Sequence, residues 1–135
     1  MIVFEKNNIE LEVHPQFKIM EVRWMGVLEE EELKIMIHKI VEVANKYAIE
    51  NILLDATYVE ASKSIAIYDV RVQQHFQQKF AMPTVKKIAR VSSGFASYDE
   101  AISQHYNTLL QYNPANFEFR NFNHHYEAMD WIIGR

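Results

Sequence analysis

The sequence predicts an α/β domain in which a mixed, mostly parallel sheet of five strands is covered by about four helices. Apolar residues alternate with polar ones near the amino terminus, recur at three- and four-residue steps in later segments, and form one short continuous run between two such segments. Strands separated by helices require right-handed crossovers and a largely parallel sheet, to which an opening hairpin adds an antiparallel strand. A chain of 135 residues has the size of one core, so we expect a single domain over residues 1–135.

The first two strands are predicted to form an antiparallel hairpin. Ile9 to Val13 alternates apolar and acidic residues, His14-Pro15-Gln16 interrupts the pattern, and Phe17 to Trp24 continues with residues that favour strands. Ile2 to Phe4 either extends the first strand or lies beside it. The sequence leaves this pairing open, because Lys6-Asn7-Asn8 is typical of a turn.

The first helix is predicted from about Leu28, where the apolar period changes to three and four residues. Four glutamates, residues 29–32, fall in its first turn, where unpaired backbone N–H groups favour carboxylates. Its predicted buried stripe contains Leu33, Met36, Ile37, Ile40, Ala44, Tyr47 and Ala48.

The remaining elements alternate between strands and helices. Asn51 to Asp55 is a short apolar run typical of a strand buried on both faces, so it is the predicted central strand. A helix over Ser64 to Phe80 and a strand over Val85 to Val91 follow. The later elements are a helix from the capping box Ser97/Glu100 to Asn113-Pro114, a strand around Phe117 and Phe119, and a terminal helix capped by Asn123.

Composition excludes several classes of function. Fourteen basic and eighteen acidic residues give a formal charge of −4, so we expect no nucleic-acid partner. The absence of cysteine excludes disulfides, thiolate metal sites and thiol catalysis. Met1 to Glu12 does not resemble a secretory signal, and the longest apolar runs are far shorter than the roughly 20 residues that cross a bilayer. We therefore expect a cytoplasmic protein without a membrane span.

No motif in the sequence indicates an enzyme, a cofactor or a metal. Three glycines, Gly26, Gly94 and Gly134, are too few for a phosphate-binding loop, and a Gly-x-Ser-x-Gly motif is absent. The histidines lack the spacing of a metal site, and adjacent ones on a helix point about 100° apart, so surface or capping roles are favoured. These histidines are His14, His38, His75, His105, His124 and His125.

Several apolar residues fall outside the predicted buried stripes. They either cover a groove or a subunit partner, as exposed apolar patches often do, or belong to buried faces wider than predicted. These residues are Ile35, Val43, Tyr58, Ile67 and Val70.

Four segments spread over most of the chain carry a family resemblance: Lys18 to Gly26 (KIMEVRWMG), Glu30 to Leu33, Asn51 to Asp55 (NILLD) and Ala128 to Ile132 (AMDWI). With the order of elements, they resemble the STAS family, named for sulfate transporters and anti-sigma-factor antagonists, and in particular its small bacterial members. The resemblance implies a non-catalytic regulatory module that binds a protein partner or a second copy of itself, as a homodimer.

In signalling STAS proteins a partner kinase phosphorylates a serine just after the central strand, and this switches binding. The matching region, Asp55 to Ile65, offers Ser62 and Ser64 but lacks the Ser-Gly step typical of the family, and Ser92-Ser93-Gly94 follows one strand later. A phosphate would suit the start of the predicted helix beside Lys63. The favoured interpretation of both serines is an N-cap.

Asp55 is the best single polar candidate, because open α/β sheets place their ligand crevice at the carboxyl ends of central strands. The favoured alternative is a carboxylate that accepts loop N–H bonds. A second hypothesis is a pocket there for a small apolar ligand or lipid, because the STAS resemblance implies structural kinship with lipid-carrying domains. The candidate ligand or partner residues are Asp55, Thr57, Tyr58, Ser62, Ser64, Ser92, Ser93 and Phe95.

Overall fold

A computed structural model describes residues 1–6, 8–27, 30–60, 84–92 and 117–134 of the chain. These residues form an α/β structure of six strands and two helices. The strands are β1 (Ile2–Lys6), β2 (Ile9–His14), β3 (Ile19–Val27), β4 (Asn51–Glu60), β5 (Lys87–Val91) and β6 (Glu118–Phe122). The helices are α1 (Glu30–Lys46) and α2 (His125–Ile133).

The six strands form one mixed sheet in which they follow one another in chain order. β1 pairs antiparallel with β2, and β2 pairs antiparallel with β3. The three remaining pairs, β3 with β4, β4 with β5 and β5 with β6, are parallel. The α/β class and the mixed sheet are thus confirmed. The two further predicted helices, over Ser64 to Phe80 and from Ser97, lie outside the described residues.

The predicted count of five strands is wrong, because Ile2–Lys6 is a strand of its own. Phe4 pairs with Leu11 of β2 and packs against the core, which draws this short segment onto the sheet edge. The amino-terminal part therefore contains two antiparallel pairs where the sequence predicts one hairpin. The signal for β1 is weak, because only Ile2, Val3 and Phe4 are apolar and the pairing register shifts between Ile2 and Phe4.

β4 occupies the interior position predicted for the NILLD segment. Ile52, Leu53 and Leu54 are all buried, because β3 and β5 flank the strand and apolar clusters cover both faces of the sheet. The strand extends to Glu60, well beyond the predicted end at Asp55. Its register against β3 shifts between Arg23 and Met25, so β4 contains a bulge at this point.

Two apolar clusters cover opposite faces of the sheet. The first contains alternate residues of β2 and β3, among them Leu11 and Val22, together with the buried side of α1. The second joins Ile19 and Leu53 to α2. Val43 is only 6% exposed and belongs to the first cluster, so the buried face of α1 is wider than the predicted stripe. Ile35 on the same helix is exposed.

The ends of the two helices differ from the prediction by one or two residues. α1 ends at Lys46, and Ala48 adopts a left-handed φ of 51° while the buried Ile49 donates its N–H to the carbonyl of Ala44. His124, not the predicted Asn123, is the N-cap residue of α2, and it makes no side-chain capping bond. Gly134 closes α2 in the left-handed conformation, at a φ of 86°.

Neither described helix combines the length and hydrophobicity that a bilayer crossing requires.

Candidate functional site: an acidic sheet face

The side of β2 that does not face the first apolar cluster carries ionisable residues. Along β2 the burial alternates, with Ile9, Leu11 and Val13 buried and the residues between them half-exposed. Residues directly opposite on neighbouring strands share a face, so the pairing register extends this polar row across the sheet. We call this surface the acidic face: it carries Glu5, Glu10, Glu12, His14, Glu21, Arg23 and Asp55.

Arg23 is the central cation of the acidic face. Its guanidinium donates to Glu10 Oε1 through Nε at 3.0 Å and through Nη2 at 2.6 Å. Nη2 also donates to Glu12 Oε1 at 2.7 Å, and Nη1 donates to Glu21 Oε2 at 3.1 Å. One arginine therefore binds three carboxylates, which come close together in the antiparallel ladder of β2 and β3.

Glu21 is the most buried carboxylate of the acidic face, with 9% of its side chain exposed. His14 Nε2 lies 3.0 Å from its Oε2, and His125 Nε2, from the first turn of α2, lies 2.7 Å from its Oε1. An ionised carboxylate only accepts hydrogen bonds, so each imidazole donates through Nε2–H. Glu21 thus joins β2, β3 and α2 through its two oxygens.

The partners of Glu21 and Glu12 keep both carboxylates ionised. Burial alone would raise the pKa of Glu21, but hydrogen bonds from His14 and His125 and the charge of Arg23 outweigh burial and lower the pKa below its ordinary value of 4.5. The hydrogen bond from Arg23 lowers the pKa of Glu12 against a smaller effect of burial. Burial disfavours the charged form of Arg23 and would lower its pKa. The hydrogen bonds from the guanidinium to Glu12 and Glu10 outweigh burial and raise the pKa of Arg23 above its ordinary value.

These shifts predict a loss of stability in acid. Because the pKa of Glu21 is lower in the folded chain than its ordinary value of 4.5, its stabilisation is complete above that value and is lost as the pH falls through the folded pKa. Urea unfolding at a series of pH values is expected to give a shallower decline for Glu21→Gln than for the wild type. Glu118→Gln, an exposed residue of β6, serves as the control and is expected to keep the wild-type decline. Equal declines for the wild type and Glu21→Gln would contradict this assignment.

Asp55 lies at the edge of the acidic face beside the bulge in β4. Its Oδ1 accepts the backbone N–H of Thr57 at 3.0 Å and the Thr57 hydroxyl at 2.5 Å. Through these bonds Asp55 holds the backbone of Thr57 at the bulge, where the register of β4 against β3 shifts between Arg23 and Met25. The favoured interpretation of Asp55 from the sequence, a carboxylate that accepts nearby N–H bonds, therefore describes its contacts.

A shallow crevice of about 130 Å³ opens between Asp55 and the first strands. Its charged lining comes from one residue on each of four neighbouring strands, because Glu5 pairs with Glu10, Glu10 with Arg23, and Arg23 with Asp55. The rest of its lining consists of Asn8, Ile9, Trp24 and Met25.

The structure brings together some of the candidate residues predicted from the sequence. Asp55 and Thr57 are hydrogen-bonded, and Ser92 follows Val91, the β5 partner of Asp55. The N–H of Ser92 donates to the carbonyl of Phe122 at 2.9 Å. Tyr58 pairs with Met25 in the ladder, but its side chain is outside the described part of the chain. Ser62, Ser64, Ser93 and Phe95 also lie outside the described residues.

Sequence reasoning missed most of the acidic face. Acidic residues alternate along β2, and Glu21 and Arg23 stand two residues apart in β3. Together with the register of the hairpin, this spacing indicates a cluster of charges on one face of the sheet. The prediction treated this alternation only as evidence for strands. His125 had no such signal, because it lies 104 residues from Glu21 in the chain and reaches it only through the packing of α2.

No protein-family model, no curated protein and no solved structure matches this chain.

Proposed function

We propose that this chain is a non-catalytic regulatory module of STAS type that binds another protein through the acidic face. The observation that carries the proposal is the crevice, in which three carboxylates and one guanidinium give a formal charge of −2. Like-charged groups gathered in a concave surface attract a ligand of opposite charge. The partner accordingly contributes a lysine or arginine side chain to this crevice.

The size and lining of the crevice favour one side chain over a larger ligand. Pockets for drug-sized molecules and cofactors have roughly 300–1,000 Å³, whereas this crevice has about 130 Å³. Met25, which is 54% exposed, offers apolar surface for the methylene groups of a long basic side chain, while Glu5 and Asp55 accept hydrogen bonds from its charged end.

The order of the described elements supports the family part of the proposal. An antiparallel hairpin precedes parallel strands, and the NILLD segment lies in the interior of the sheet, as the resemblance implies. The hypothesis of a small apolar ligand or lipid beside Asp55 stays a prediction. The three carboxylates of the crevice disfavour an acidic ligand there, so the protein-binding hypothesis has the better support.

A comparison of variants tests the proposed function. We expect Glu5→Lys to weaken partner binding at least about tenfold, because it places a like charge against the incoming basic group. Asp55→Asn is expected to weaken it less. Glu118→Lys changes the net charge by the same amount on β6 and should bind as the wild type does.

The measurement is quantitative mass spectrometry of proteins retained by the immobilised wild type and variants, followed by titration of the retained protein at rising salt. The supporting result is a protein retained by the wild type and Glu118→Lys, lost with Glu5→Lys, and bound more weakly as salt increases. Light scattering shows whether that partner is a second copy of the chain. Equal retention by all variants would overturn the proposal.

A further inference from the structure

We propose that Glu12, His14 and Glu21 bind one divalent transition-metal ion of the Zn²⁺ or Mn²⁺ class. The three residues lie on adjacent strands, since Glu12 pairs with Glu21 and His14 follows two residues after Glu12 in β2. These three residues do not line the crevice, although Glu10 and Arg23 border both sites. The inference does not depend on the proposed protein partner.

The distances between the ligand atoms suit a single ion. One ligand atom from each residue lies within 4.8 Å of the other two. His14 Nε2 is 3.0 Å from Glu21 Oε2 and 3.8 Å from Glu12 Oε1. Nitrogen and oxygen ligands at about 2.0–2.2 Å from a tetrahedral zinc ion lie about 3.4 Å apart, which falls between these two distances. The ligand atoms of Glu12 and Glu21 lie within 4.8 Å of each other and move closer together when the site closes around an ion.

The charge of the cluster also matches a divalent ion. With neutral imidazoles, the carboxylates of Glu10, Glu12 and Glu21 and the guanidinium of Arg23 sum to a formal charge of −2. One divalent ion makes this group neutral. At Glu21, whose side chain is 9% exposed, the ion replaces the hydrogen bond from His14 that ligation removes.

Arg23 and His125 act as outer partners that orient the ligating carboxylates. His125 donates to Oε1 of Glu21 and leaves Oε2 directed toward His14. Arg23 repels a nearby cation, but Glu10 accepts two of its hydrogen bonds and offsets much of its charge. Each carboxylate oxygen has a second lone pair, so Glu12 and Glu21 accept from Arg23 while they ligate the ion.

The imidazole of His14 decides the class of ion. Imidazole nitrogen suits zinc and other transition metals, whereas Mg²⁺ and Ca²⁺ prefer sites made only of oxygen. To ligate, Nε2 gives up its proton: a neutral ring shifts to the Nδ1–H tautomer, and a charged ring releases one proton to solvent. No oxidation or reduction is involved.

Titration calorimetry of chelator-treated protein with Zn²⁺, and separately with Mn²⁺, tests the site. We expect one ion per chain for the wild type and at least a tenfold loss of affinity for His14→Asn and Glu12→Gln. His38→Asn removes an exposed histidine of α1 and is expected to bind as the wild type does. Circular dichroism checks that every variant is folded.

Substitution with Co²⁺ reports the ligands directly. The wild type is expected to show visible absorption bands of bound Co²⁺ that shift or disappear in His14→Asn, which a purely structural role of His14 would not produce. Mg²⁺ and Ca²⁺ at equal concentration should fail to displace Zn²⁺. Absence of binding to the wild type, or equal affinity of wild type and His14→Asn, would overturn the inference.

Discussion

Leu53→Ala is expected to lower the free energy of unfolding by about 2–5 kcal/mol. Leu53 is fully buried in β4, and its neighbours in the ladder are Glu21 on β3 and Ala89 on β5. On this face of the sheet it belongs to the apolar cluster that contains Ile132 of α2. Strands on both sides and a helix above hinder collapse of the cavity, so we expect a value in the upper half of the range.

Urea unfolding followed by circular dichroism measures the effect. The slope of the unfolding free energy against urea concentration should be the same for the variant and the wild type. Ile133→Ala is the matched control, because Ile133 is 51% exposed on α2 and its truncation is expected to change stability by less than about 0.5 kcal/mol. A loss below about 1 kcal/mol for Leu53→Ala would contradict the interior position of β4.

Arg23→Met is expected to destabilise the chain by about 2–3 kcal/mol. Removal of one member of a buried ion pair commonly costs about 3–5 kcal/mol. A smaller loss is expected here because the Arg23 side chain is 31% exposed, so solvent screens its interactions. Methionine keeps the length and apolar packing but leaves Glu10, Glu12 and Glu21 without their shared cation. The loss should shrink below about pH 4, where carboxylates become protonated.

Urea unfolding at pH 7 and at lower pH measures this change. Arg120→Met is the control: Arg120 is an exposed residue of β6 whose guanidinium lies 4.9 Å from the centre of the Trp131 ring, and its loss should cost at most about 1 kcal/mol. The double variant Arg23→Met/Glu12→Gln should recover part of the stability, because one of the unpaired carboxylates is removed. A loss for Arg23→Met no larger than the control's would show that the network contributes little.

Elements with a long or strong pattern could be predicted from the sequence. The β2–β3 hairpin and α1 have apolar residues at the period of the element they form, and the NILLD strand is a short continuous apolar run. The sequence does not predict β1 as a separate strand, because this five-residue edge strand is stabilised by pairing with β2 and by the packing of Phe4. The bulge opposite Asp55 likewise depends on how two strands meet and has no local pattern.

The acidic face shows why site residues were harder to predict than elements. The sequence identifies Asp55 as a polar candidate because it stands at the end of the predicted central strand, and in the structure it lines the crevice. Glu21 and Arg23 gain their roles only from cross-strand register, which fixes the neighbours of each side chain. The spacing of the histidines in the sequence does not indicate that His14 and His125 share a site, because each imidazole contacts Glu21 and the two do not contact each other.

The contact between Glu21 and His125 has a consequence for the order of folding events. The three amino-terminal strands pair over short stretches of chain, whereas this contact closes a loop of more than one hundred residues, since its partners are 104 positions apart. Closing longer loops has a larger entropic cost, and non-local contacts slow folding. We therefore expect the meander of β1, β2 and β3 to assemble early. Packing of α2 on β4, β5 and β6, which completes the hydrogen bonds of Glu21, is then expected to be a late step.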